Sequence, residues 1–194
     1  MPEAIVTGSL RAVARRRGRP LAEQFLDVEH VALVDVSPSM EARDGRGGRA
    51  RIDVAQEELA VLQAELPGRI AVFAFADGCR LVAGGVPRCA GAGTDLAGAL
   101  RTTRPYDGLV AQFVLISDGE PDDPEGALGI ARAYRTPISA VYCGPEGGPG
   151  GPFLQRLAAV AGGRHAVAAR AAGLADAVRP LLLGAGPAGG SGRP

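Results

Sequence analysis

Asp35, Ser37 and Ser39 place three oxygen-bearing side chains at alternate positions directly after an apolar run, residues 31–34. Four apolar residues in succession, two of them valine, are typical of a strand buried on both faces of a parallel sheet. A carboxylate beside such a core must be paired, hydrogen-bonded or bound to a metal. Mg²⁺ prefers oxygen donors in octahedral geometry. The motif therefore predicts a magnesium site at the end of a core strand.

Two later segments carry polar side chains that belong with this motif. Thr94 and Asp95 precede a helical pattern, and Asp118 follows the apolar strand pattern of residues 112–116. Each segment alone has a simpler interpretation: the serines cap a turn, Thr94 and Asp95 begin a helix, and Asp118-Gly119 forms a turn. Three such coincidences at one edge of a sheet favour a common site.

The elements that must position these residues alternate along the chain. Strands are predicted over residues 29–35, 70–75, 79–82, 112–116, 138–142 and 165–168, and helices over 52–66, 94–102, 124–135, 153–161 and 174–183. Alternation of this kind predicts an α/β fold, a three-layer α/β/α sandwich with a doubly wound, mainly parallel sheet. The short strand at 79–82 is expected to be an antiparallel edge strand. Ligands of such sheets lie at the carboxyl ends of strands, where Asp35 and Asp118 both fall.

The predicted domain division gives an N-terminal arginine-rich extension over residues 1–28, an α/β domain over residues 29–183 and a disordered Gly/Pro-rich tail over residues 184–194.

The chain contains no lysine, which excludes Schiff-base chemistry and a P-loop lysine. Its formal net charge is zero, so we do not expect nucleic acid as its partner. No apolar segment is long enough to span a membrane, and no secretory signal is present, so we expect a cytoplasmic location.

Three segments in order, Asp35-x-Ser37-x-Ser39, Gly93-Thr94-Asp95-Leu96 and Ile116-Ser117-Asp118-Gly119, resemble the von Willebrand factor A family, in its bacterial stand-alone type with a complete metal-ion-dependent adhesion site. The resemblance covers about residues 29–183. It implies that Ser37 and Ser39 bind the ion directly and Thr94 directly or through water. It also implies that Asp35 and Asp118 act mainly through bound water. The expected ion is Mg²⁺, with Mn²⁺ or Ca²⁺ as alternatives, and the implied metal residues are Asp35, Ser37, Ser39, Thr94 and Asp118.

The function implied by the resemblance is a non-enzymatic, Mg²⁺-dependent protein–protein interaction module. In this family a partner protein supplies an Asp or Glu to the metal. Cytosolic bacterial members often work beside MoxR-type AAA+ ATPases, in metal chelatases, or in stress and conflict systems, and the resemblance does not choose among them. Pro38 departs from the family, which more often has glycine between the serines, and proline fixes φ and removes an N–H.

The main alternative is a phosphatase of the haloacid-dehalogenase class. Asp35 would be its nucleophile, and Asp118, Asp122 or Asp123 would hold Mg²⁺. That class needs a second aspartate two positions after the first, where this chain has Ser37, and it normally uses a lysine.

A third alternative is a nucleic-acid adaptor that uses the N-terminal arginines, which are Arg11, Arg15, Arg16, Arg17 and Arg19. A second arginine-rich stretch, residues 41–51, directly follows the proposed site. As part of the rim of the site, its arginines would add attraction for an acidic partner. A solvated loop is the simpler interpretation and the one that we expect.

Overall fold

The computed structural model describes residues 5–44, 48–145 and 147–167. Its single sheet has six strands: β1 (His30–Asp35), β2 (Ile70–Phe75), β3 (Cys79–Leu81), β4 (Gln112–Ser117), β5 (Ile138–Tyr142) and β6 (Gly162–Val167). Their order is β3-β2-β1-β4-β5-β6, and every pairing is parallel except that of β3 with β2. The predicted α/β class, with a mainly parallel sheet and one short antiparallel edge strand, is confirmed.

The helices of the described residues are α1 (Leu10–Arg17), α2 (Leu21–Gln24), α3 (Arg51–Glu65), α4 (Leu96–Thr103), α5 (Pro124–Arg132) and α6 (Gly150–Val160). Helix α6 begins three positions earlier than the sequence predicts. The helix predicted over residues 174–183, the tail from 184 and the last residue of the predicted strand 165–168 lie outside the described residues. Within the ranges that the structure describes, no helix has the length and apolarity to cross a membrane.

Two apolar layers sandwich the sheet, because successive strand residues point to opposite faces. On one face Leu33 packs in a cluster with Leu100 of α4, Leu128 of α5 and residues of α6. On the other face Val34 belongs to a cluster with Leu59 of α3. Burial on both faces explains why the central strands read as unbroken apolar runs in the sequence.

The described part of the N-terminal segment packs against this sandwich. Leu10, Val13 and Ala14 of α1 are buried, at the i, i+3, i+4 spacing of one helix face. Gly8 approaches α3 so closely that a Cβ there would lie 1.7 Å from the carbonyl oxygen of Gln63. The arginines of α1 therefore lie on a helix whose apolar face is buried against the rest of the chain. The domain boundary at residue 28 stays a prediction.

Candidate metal site

The candidate site lies where strand order reverses, at the carboxyl ends of β1 and β4. These central strands are parallel neighbours, with Val34 beside Ile116. The chain leaves β1 toward β2 on one side and leaves β4 toward β5 on the other. A crevice opens at such a switch point, and ligands of open α/β sheets bind there. The fold thus places Asp35, the last residue of β1, near Asp118, the residue after β4.

Asp35 is a fully buried carboxylate that contacts neutral donors. Its Oδ1 accepts a 2.9 Å hydrogen bond from the Ser37 amide, and its Oδ2 accepts a 2.6 Å bond from the Ser117 hydroxyl. Burial raises the pKa of Asp35, the bonds from Ser117 and Ser37 lower it, and the nearby charge of Asp118 raises it. Among the residues described, no arginine forms an ion pair with Asp35. A cation bound here would stabilise the ionised carboxylate.

The hydroxyls of Ser37 and Ser39 share a hydrogen bond, and their oxygens lie 3.0 Å apart. Adjacent ligands of an octahedral Mg²⁺, each about 2.1 Å from the ion, lie roughly 3 Å from one another. The Ser37 side chain is buried beside Asp35, whereas Ser39 is exposed. The hydroxyl pair therefore joins a buried position to an exposed one, and its spacing is compatible with two adjacent ligands of a hard divalent cation.

Pro38 stands at the first position of a short 3₁₀ turn, Pro38–Glu41. The first N–H groups of a helical turn have no partner within it, so a proline costs no hydrogen bond there. The turn is closed by the amide of Met40, which donates to the carbonyl oxygen of Ser37 at 3.1 Å. The departure from glycine at this position is therefore compatible with the turn that holds both serines.

Thr94 lies on a loop that is fixed by hydrogen bonds to two carboxylates, Asp77 and Asp122. The Thr94 amide donates to Oδ2 of Asp122 at 2.9 Å, and the Gly93 amide donates to Oδ1 of Asp77 at 2.5 Å. The cap of α4 is supplied by Asp95, which accepts a 2.7 Å bond from the Gly98 amide. Because Asp95 serves as the cap, the Thr94 hydroxyl is not needed for that purpose.

Asp118 is nearly buried and forms an ion pair with Arg51. Nη1 of Arg51 donates to Oδ2 of Asp118 at 2.9 Å, and the same guanidinium donates two bonds to Asp44. The expectation that residues 41–51 form a solvated loop is wrong for Arg51, whose side chain is only 9% exposed. Helix α3 begins at Arg51, and this first helical residue directs its guanidinium between two carboxylates.

The sequence named Asp122 as a candidate Mg²⁺ ligand of the phosphatase alternative but did not predict its contact with the Thr94 amide. The roles of Ser117, Arg51 and Asp77 were also not predicted. Ser117 is the last residue of β4 and directly precedes Asp118. A polar residue at the end of an apolar run could have indicated its role in the site. Asp77 and Asp122 reach the Thr94 loop across 16 and 28 positions of sequence. No local pattern reports contacts of that range.

The residues present fit a hard divalent cation. No cluster of three or more His, Cys, Asp or Glu side chains able to hold a metal occurs in residues 5–44, 48–145 and 147–167. The donors gathered at the switch point are instead two hydroxyls beside two carboxylates, with Thr94 on the neighbouring loop. Hydroxyl and carboxylate oxygens suit Mg²⁺, Ca²⁺ and Mn²⁺ and do not suit the softer metals that thiolates select.

No protein-family model matches the chain, and no curated protein sequence matches it. Among solved structures it is similar to the manganese-loaded TRAP protein of Plasmodium vivax, with a TM-score of 0.50 and 14% identity over 69% of this chain and 63% of that one. It is also similar to the RO (RSR) protein of Deinococcus radiodurans, with a TM-score of 0.51 and 18% identity over 91% of this chain and 38% of that one. The chain thus spans less than two thirds of either protein. At these identities the likenesses show the fold, which is von Willebrand factor A-like.

Proposed function

We propose that this chain is a Mg²⁺-dependent protein–protein interaction module, whose site binds an Asp or Glu of a partner protein. The observation that carries the proposal is the hydroxyl pair of Ser37 and Ser39, 3.0 Å apart and adjoining the buried carboxylate of Asp35. A buried carboxylate without an ion pair needs a positive charge nearby, and two hydroxyl oxygens beside it are suitable ligands for a divalent cation.

The five residues have distinct proposed roles toward the ion. Ser37 and Ser39 bind it through their hydroxyls, and Thr94 binds it directly or through water. Asp35 and Asp118 orient bound water and supply negative charge, as carboxylates around a metal's direct ligands do elsewhere. When bound, the ion supplies an electrophilic position that accepts a carboxylate oxygen. A manganese-loaded protein of similar fold supports a divalent cation, and the oxygen donors favour Mg²⁺.

A binding role without catalysis is proposed over the phosphatase alternative. Asp35 has no exposed surface, and both of its oxygens accept hydrogen bonds, so its carboxylate is poorly placed to attack a substrate. Ser37 occupies the position where that class of enzyme has its general acid. These two features support a carboxylate that organises a site and does not react.

The partner is proposed to be a protein that presents an acidic side chain on an exposed segment. A MoxR-type AAA+ ATPase or a component of a stress or conflict system in the cytoplasm fits the resemblance, and this assignment stays a prediction. Arg17 and Arg19 of the N-terminal segment pair with acidic side chains of the same segment, which weakens the case for nucleic acid.

Selection from a displayed random-peptide library, in Mg²⁺ and in EDTA, tests the proposed function. We expect Mg²⁺-dependent enrichment of peptides with Asp or Glu, and loss of that enrichment in the double variant Ser37→Ala, Ser39→Ala. Thr102→Ala removes a hydroxyl from the exposed end of α4 and should leave the selection unchanged. Enrichment of the same peptides in EDTA would overturn the proposal. Hydrolysis of p-nitrophenyl phosphate that Asp35→Asn abolishes would favour the phosphatase instead.

A further inference from the structure

Arg51 brings a buried positive charge into contact with the proposed metal site. Its Nη1 lies 2.9 Å from Oδ2 of Asp118. Its Nε and Nη2 lie 2.7 and 2.5 Å from the two carboxylate oxygens of Asp44, so Arg51 donates two parallel hydrogen bonds to Asp44. Arg51 is 9% exposed and Asp44 is 43% exposed, so the guanidinium lies beneath the carboxylate that covers it.

The charges around the crevice are unequally compensated. Asp118 and Asp44 share the single charge of Arg51, while Asp35 contacts Ser117 and Ser37, which are neutral. The interaction between two cations grows as water is excluded, because the effective dielectric constant falls. A divalent ion that enters beside Asp118 is therefore repelled by a guanidinium that is already hydrogen-bonded to that carboxylate.

We propose that Arg51 is a resident cation that weakens divalent metal binding at this site and makes it depend on an added carboxylate. This inference rests on the proposed function. An arriving acidic side chain adds negative charge near both cations, so it offsets their repulsion. Linkage is reciprocal, which means that the acidic ligand tightens the metal by the same factor as the metal tightens the ligand. Arg51 thereby favours metal and partner bound together over metal bound alone.

Asp44 has the opposite effect on the metal. It neutralises Arg51 from the solvent side, so its removal leaves more of the guanidinium charge directed at Asp118. Two substitutions in one ion-pair network are thus expected to change the metal affinity in opposite directions. A purely structural role for the network would instead weaken metal binding in both variants, because either substitution would loosen Asp118.

The experiment is a titration of the full chain with Mn²⁺, in which free Mn²⁺ is measured by its electron paramagnetic resonance signal. We expect Arg51→Gln to bind Mn²⁺ at least about tenfold more tightly than wild type, because it removes the repulsion between a unit charge and a divalent ion a few ångströms apart. Arg51→Lys keeps the charge and should bind close to wild type, whereas Asp44→Asn should bind several-fold more weakly.

Unchanged or weaker binding by a folded Arg51→Gln would overturn the inference while leaving the proposed function in place. Absence of Mn²⁺ binding by wild type and by every variant would overturn both. If Arg51→Gln does not fold, as circular dichroism would show, Asp44→Asn and Arg51→Lys decide the question. Binding by Asp44→Asn that equals or exceeds wild type, or a large loss in Arg51→Lys, would then contradict the role of charge.

Discussion

The Ser117 hydroxyl donates a 2.6 Å hydrogen bond to Oδ2 of Asp35 and so ties the end of β4 to the end of β1. The same oxygen accepts a 2.9 Å bond from the Gly119 amide, which fixes the chain on the far side of Asp118. One buried hydroxyl thus holds the Asp35 carboxylate and the backbone that follows Asp118. The two strands are neighbours in the sheet although 82 positions separate these residues in sequence.

Ser117→Ala should weaken metal binding and destabilise the fold. The substitution leaves Oδ2 of Asp35 buried without its donor, which costs about 1–3 kcal/mol of the free energy of unfolding. Metal affinity should fall about 10- to 100-fold, as it does when a group that orients metal-site residues is removed. Urea denaturation and Mn²⁺ titration measure the two effects, and an unchanged Mn²⁺ affinity would show that Ser117 does not organise the site.

Asp122→Asn should impair the site through the loop that carries Thr94. Asp122 accepts the Thr94 amide at 2.9 Å, and in Asp122→Asn a neutral amide oxygen replaces the charged acceptor, so the bond weakens from about 1.5–3 kcal/mol toward about 0.5–1.5 kcal/mol. Asp123→Asn is the matched control, since Asp123 caps α5 and asparagine caps a helix equally well. Thermal shift on addition of Mg²⁺ should be reduced in Asp122→Asn and retained in Asp123→Asn. Equal shifts in both would contradict a role for this hydrogen bond.

Gly119→Ala should displace the residue next to Asp118. Gly119 has a φ of 82°, and a Cβ there would lie 2.4 Å from the carbonyl oxygen of Gly150. Gly108 has a φ of 78° with open space around it, so Gly108→Ala isolates the cost of left-handed backbone, about 1–2 kcal/mol. We expect Gly119→Ala to lose more stability than that in urea denaturation and to lose metal affinity as well. Equal losses of stability would mean that the contact with Gly150 is easily relieved.

Stability should fall as the solution is acidified, because His30 is buried. Burial lowers the pKa of His30 from its ordinary value of 6.5; the charge of Glu29 raises it, and that of Arg69 lowers it. The unfolded chain therefore takes up the proton first as pH falls. The stability contributed by neutral His30 is present above about pH 6.5 and is lost below it. Urea denaturation at pH 7.5 and 5.5 should show a smaller loss for His30→Gln than for wild type, and identical losses would contradict the assignment.

The elements that carry the site were predictable because their signals are local. The apolar runs that precede Asp35 and Asp118 each lie within a few residues of the side chain that they position. Because parallel strands end at one edge of the sheet, the meeting of Asp35 and Asp118 followed from those elements alone.

The contacts between elements were not predictable, because they depend on packing across long stretches of sequence. Glycines and arginines surround Arg51 and indicate a solvated loop, but Arg51 begins α3 and pairs with Asp118, a residue 67 positions away in sequence. In the N-terminal segment, Leu10, Val13 and Ala14 have the spacing of a covered helix face, but the many arginines led to its prediction as an extension. A short helix with a few apolar and many charged residues is stabilised mainly by packing against the rest of the protein, which the local sequence does not show.

Isothermal titration of the metal-free chain with Mn²⁺, in wild type and in the double variant Ser37→Ala, Ser39→Ala, tests the metal site most directly. Wild type is expected to bind one Mn²⁺, and the double variant should lose at least about 100-fold in affinity, because both proposed direct ligands are gone. The exposed hydroxyl variant Thr102→Ala should bind like wild type. Absence of Mn²⁺ binding by the folded wild type and by Arg51→Gln alike, or equal affinity in the double variant, would contradict a metal site at the ends of β1 and β4.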